Sequence, residues 1–134
     1  MKLSRIFSFI TSLWLVVQVS IVIANPGEAP SDQETQRGMR ILDKCKVCHS
    51  VGVDDDHAAG PNLFGIVDRP VGKVAGYKFS RAMRKAEGTW TPALLDKFIT
   101  SPAQVYPGNR MAFSGLKKEA DRSALIAVLA SLKN

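Results

Sequence analysis

The 134 residues contain only two cysteines, three positions apart, with a histidine directly after the second: Cys45-Lys46-Val47-Cys48-His49. This arrangement limits what the chain can become. C-x-x-C-H is the spacing of c-type haem attachment. Two thiols so placed near a helix reach the two vinyl groups of one porphyrin, and the adjacent imidazole meets the iron from one face. Other uses of these residues fit less well. A zinc site takes four ligands, and the chain offers only Cys45, Cys48, His49 and His57, with neighbouring Cys48 and His49 ill placed to share one tetrahedral ion. A thioredoxin-like dithiol needs a βαβ setting, and a plain disulfide has no use for His49. The segment therefore reads as the attachment site of one haem c, covalently held through Cys45 and Cys48.

The N-terminal stretch reads as an export signal. Lys2 and Arg5 precede an apolar run from Ile6 to Ile23, broken only by Ser8, Thr11, Ser12, Gln18 and Ser20. Val22-Ile23-Ala24 resembles a signal peptidase site, so residues 1–24 are expected to be removed and Asn25 to become the new N-terminus. The rival is an uncleaved anchor, because the run approaches the ~20 residues that span a bilayer. Either outcome exports the remainder. Eighteen Lys and Arg against twelve Asp and Glu give a net charge of +6. Without Lys2 and Arg5 the surplus is +4, which suits acidic partners. The basic residues are scattered and no nucleic-acid motif is present, so nucleic acid is not an expected partner.

Beyond the leader, residues 25–32 hold Pro26, Gly27 and Pro30 and read as a linker. The domain then runs over 33–134. Helices are expected at Gln33–Lys46, near Ser80–Lys85, after Thr91-Pro92 up to Ser101-Pro102, and at Lys118–Leu132. Thr91 supplies an N-cap and Pro92 a first helical position, while Leu94, Leu95, Phe98 and Ile99 follow at helical spacing. In the last helix Glu119 and Asp121 suit the N-terminal dipole, and Leu125, Ile126, Leu129 and Leu132 form an apolar stripe. Val51–Pro70 and Ala103–Leu116 read as loop, and no strand alternation appears. The expected fold is all-α. Loops this long call for a large apolar cofactor to organise them.

A second axial ligand must come from His57, Met39, Met83 or Met111. Met39 shares a helix with the attachment site and cannot cross to the other haem face. His57 follows three aspartates and reads as a surface histidine, and Met83 as a packing residue. Met111 sits in the loop Val105–Met111, which can wrap the far face. A His49/Met111 pair fills both axial positions and raises the reduction potential. Filled positions favour electron transfer over oxygen or peroxide chemistry. A peroxidase-type haem enzyme, the alternative, would need a displaceable methionine.

The segments CKVCH, GPNLFG, GTW and PGNRMAFSGLKK, in this order and spacing, resemble the mitochondrial-type class I cytochromes c and their bacterial periplasmic relatives over about residues 36–133. The resemblance implies a small fold in which the N- and C-terminal helices pack together and long loops wrap one haem. Gly38 and Leu42 would meet the last helix near Leu125 and Leu129. It further implies that the Pro61 carbonyl accepts the ring proton of His49, and that Arg69 and Trp90 lie near a buried haem propionate. Phe79 and Phe98 stand where many members have tyrosine, and Asn109 where threonine is usual. Lys44, Lys46, Arg110, Lys117 and Lys118 are the expected basic docking residues. The function implied is that of a monomeric, non-enzymatic one-electron carrier in a bacterial periplasm. It would take electrons from a cytochrome bc complex or a dehydrogenase and pass them to an oxidase, through partners with acidic docking faces. It would meet the membrane only through those partners or an uncleaved leader.

Overall fold

Ser31 opens the first helix with a capping box: its hydroxyl accepts from Glu34 N–H, and the Glu34 carboxylate reaches back to Ser31 N–H. Each bond satisfies a helix-end or flanking donor that would otherwise lack a partner. The computed structural model describes residues 30–133. The leader over 1–24 and most of the 25–32 linker lie outside the described residues. Helix α1 covers Asp32–Cys45, α2 Arg81–Lys85, α3 Pro92–Thr100, α4 Pro102–Val105 and α5 Glu119–Ser131. Among the described residues the only sheet-like pairing is an isolated antiparallel bridge between Pro70 and Thr89. The all-α class is what the structure shows.

The principal helix interface joins α1 to α5, although the two lie at opposite ends of the described chain. Gly38 makes the approach possible. A Cβ built there would collide with the backbone carbonyl of Ala124 and lie 2.6 Å from Val128 Cγ2. Leu42, 1% exposed, enters the core beside Leu125, Val128 and Leu129. An ion pair between Arg37 and Asp121 at 3.3 Å borders the seam. The face that α5 buries is Ala124, Leu125, Val128 and Leu129. Ile126 and Leu132, expected in the stripe, are only partly buried.

Several expected boundaries shift. The linker does not extend to Asp32, which is already helical behind its Ser31 cap. Ser80 and Lys118 are N-caps rather than helical residues. Pro102 ends α3 as expected but also starts α4, inside the stretch read as loop. Proline presets a first-turn backbone, and a four-residue helix is too short to show periodicity. Trp90, Leu95, Phe98 and Ile99 complete the core, with Met83 buried on α2 as a packing residue.

Candidate haem site

The attachment motif occupies the end of α1 and the turn that follows. Cys45 is the last helical residue, and its carbonyl accepts from both Cys48 N–H and His49 N–H at 3.0 Å. This turn keeps both cysteines and the histidine together. Both thiols are free, Cys45 half-buried and Cys48 exposed. Burial, and then the neighbouring Cys48, pushes the Cys45 thiol above its ordinary range.

His49 is held by the loop after it. Its Nδ1 lies 2.7 Å from the Pro61 carbonyl. A carbonyl only accepts, so the ring proton sits on Nδ1 and the Nε2 lone pair is available to a metal. Gly60 lies flat against the ring: an added Cβ would come within 2.6 Å of Nδ1 and 2.8 Å of Nε2. The next peptide N–H, that of Asn62, donates to Nδ1 of His57 at 3.0 Å, and His57 Nε2 donates to Ala75 O at 2.7 Å. The single peptide group between Pro61 and Asn62 thus holds two imidazoles, one at each end. His57 is therefore a half-buried brace between two loops, not the surface histidine expected. Asn62, 7% exposed, extends the brace by donating to Gly52 O and Asp55 O while accepting from Phe64 N–H.

Arg69 and Trp90 come together through backbone bonds: Trp90 N–H donates to Arg69 O at 2.9 Å, and Asp68 N–H to Trp90 O at 3.0 Å. Trp90 is 5% exposed and packs against Phe98 and Tyr106, with ring centroids 4.9 and 6.1 Å away. The Arg69 guanidinium donates to Asn62 O at 2.8 Å and Phe64 O at 3.1 Å, and burial lowers its pKa. It therefore joins the His49-bearing loop to the Trp90 wall. Phe98 and Tyr106 pack tilted to each other at 5.9 Å.

Met111 is half-buried and touches the same core. Asn109 fixes the backbone before it, accepting from Met111 N–H at 2.9 Å through Oδ1 and donating to Tyr106 O at 2.9 Å through Nδ2. The residue read as a departure from the family pattern thus closes the turn itself. Met39, by contrast, is 42% exposed on α1. Of the expected docking cations, Lys46 pairs with Asp43 at 2.9 Å, Arg110 donates to Lys78 O, and Lys117 reaches Thr100 O and Ser114 O. Lys44 and Lys118 are exposed.

The donor set fits a covalent haem. It offers two free thiols on one turn, an imidazole with its proton fixed away from the ligating nitrogen, and a thioether on a separate loop against the apolar core. The comparisons agree. The family model for Cytochrome c matches residues 35–133. Cytochrome c2 iso-2 of Magnetospirillum fulvum is 46% identical over 88 residues, covering 66% of this chain and 91% of that protein. The c-type cytochrome cy of Rhodobacter capsulatus is 43% identical over 88 residues, covering 66% of this chain, but the match spans only 43% of its own length. Among solved structures, cytochrome cH from Methylobacterium extorquens aligns with a TM-score of 0.68 at 31% identity, covering 72% of this chain and 97% of that one. Attachment motif, helix pairing and these likenesses agree, and the chain belongs to the class I cytochrome c family, whose members carry electrons on one covalent haem c and are not enzymes.

Proposed function

We propose that this protein is an exported bacterial carrier that takes single electrons from a cytochrome bc complex or a periplasmic dehydrogenase and delivers them to an oxidase. His49 and Met111 are its axial ligands, with Pro61, Arg69 and Trp90 in support. The observation that carries this reading is the 2.7 Å bond from His49 to the Pro61 carbonyl, which readies the imidazole for iron. When bound, the haem supplies one-electron chemistry between ferrous and ferric iron.

The chain's own residues do the rest. The Pro61 carbonyl orients the imidazole and strengthens it as a donor. Asn109 holds the backbone that presents Met111. Trp90 and Phe98 keep water from the interior, so little around the site reorganises when its charge changes. Arg69, partly desolvated, lies where a buried carboxylate of the cofactor would gain a partner. Lys44 and Lys118, with the other basic residues, offer acidic partners a brief, salt-sensitive encounter between monomers.

The test is stopped-flow reduction of the ferric protein by a bc complex at varied ionic strength. The second-order rate should fall roughly tenfold between low and physiological salt, as charge-steered encounters do. A rate indifferent to salt would remove the basic docking face from this reading. Export has its own check. Among the described residues no helix is long and apolar enough to cross a membrane, and the candidate leader precedes them. The purified protein is expected to begin at Asn25; a start at Met1 would make residues 1–24 an anchor.

A further inference from the structure

Arg122, near the start of α5, grips three acceptors on two other parts of the chain. Its Nε donates to Asp96 Oδ1 of α3 at 2.7 Å, and one terminal nitrogen donates to Leu116 O at 3.1 Å and Lys117 O at 2.9 Å. Its side chain is 11% exposed, against 40% for Asp96. Leu116 and Lys117 form the downstream root of the Met111 loop. The same root is tied to the end of α3: Leu116 N–H donates to Ile99 O at 2.8 Å, and Lys117 Nζ reaches Thr100 O. Gly115 has a φ of 101°, and a Cβ there would collide with the Thr100 carbonyl. The stretch Arg110–Lys117 has no helix or strand of its own. Apart from Arg110, the residue before Met111, which reaches Lys78 O, its hold on Met111 depends on its two roots: Asn109 and Tyr106 upstream, and Ile99, Thr100 and Arg122 downstream.

We propose that Arg122, oriented by Asp96, is a positioning residue for the methionine ligand and sets how fast Met111 leaves the iron. This rests on the proposed ligation by Met111. A guanidinium suits the task, because its fork can bind a carboxylate and two carbonyls together while an ammonium is a single point. Arg122 lies outside the motif segments that carry the family resemblance; Leu116 and Lys117 are six and five residues before it, while Asp96 is 26 residues away.

The experiment uses the full holoprotein in the ferric state with imidazole as entering ligand. Imidazole must wait for Met111 to leave, so the observed rate should reach a plateau at high imidazole that reports loop opening. Arg122→Met should raise the plateau roughly tenfold, the size expected for losing charge-assisted hydrogen bonds during opening. Asp96→Asn, which leaves Arg122 its two carbonyls, should raise it roughly threefold. Arg37→Ala is the control: it breaks the other ion pair of α5, with Asp121, without touching the loop, and its plateau should stay within about twofold of the parent. An unchanged plateau in both Arg122→Met and Asp96→Asn overturns the proposal. So does an equal acceleration in Arg37→Ala, which would mean that α5 stability alone is at work. Should Arg122→Met not fold, Asp96→Asn at its more exposed site carries the test. A parent protein that shows no plateau and keeps its sulfur-to-iron band in Met111→Ala instead refutes Met111 as ligand, a result distinct from failure of the clasp.

Discussion

Met111→Ala is expected to abolish the sulfur-to-iron charge-transfer band of the ferric protein while the haem stays on the chain. The two effects separate because two parts of the chain do the holding. The cysteines lie on the turn that ends α1, and Met111 lies on a loop braced by Asn109 and Arg122. Loss of the thioether leaves attachment intact, so a denaturing gel stained for haem should still show the band. The reduction potential should fall by roughly 0.2 V, a fraction of the range that axial ligands span. The direction follows from the proposed His49/Met111 ligation, because a His/Met pair holds a haem potential high. The opened position should also admit peroxide, bringing out the chemistry that a filled site excludes. Retention of the charge-transfer band in the variant would remove Met111 from the site.

Gly38→Ala should destabilise the protein, against what helix propensity alone predicts. Alanine in mid-helix is favoured over glycine by about 1 kcal/mol. Here the new methyl would meet the Ala124 carbonyl and Val128 across the α1–α5 seam. The carbonyl is bonded within its own helix and cannot rotate away, so the two helices must separate. Overpacking of this kind costs about 1–3 kcal/mol, and more where backbone is the obstacle. The net loss should be about 2 kcal/mol, lowering the thermal midpoint by on the order of 10 °C in a domain of this size. Calorimetry of the oxidised protein decides it. A midpoint at or above the parent's would mean the seam is looser than the contacts show.

Much of this was legible in the order of residues. Cys45, Cys48 and His49 announce their use by spacing alone, and Thr91-Pro92 and Ser101-Pro102 frame α3 because caps and prolines act locally. The Ser31–Glu34 capping box was equally local but straddled the boundary drawn between linker and helix, with Ser31 on the linker side. What escaped sequence reasoning depends on contacts that carry no local sequence pattern, some between near neighbours and some between residues far apart in the chain. Nothing near His57 indicates that its ring joins Asn62 to Ala75, and nothing near Arg122 indicates Leu116 and Asp96. Asn109 shows a third kind of difficulty. Judged against a family pattern it is a lost hydroxyl, whereas in the fold its amide makes two bonds that close the turn before Met111.

The meeting of α1 with α5 also bears on the reactivity of Cys45. Bringing these ends together closes a ring through nearly all of the described residues, at an entropic cost of about 4 kcal/mol for a flexible chain. Neither helix is long enough to persist alone in water, so each depends on the other. Cys45 stands at the edge of that ring; in the closed fold its thiol is half-buried, which raises its pKa, while Cys48 stays exposed. A thiol that gives up its proton reluctantly is a poor nucleophile. The closed fold thus holds Cys45, the less accessible of the two thiols, in a less reactive form than an open chain would.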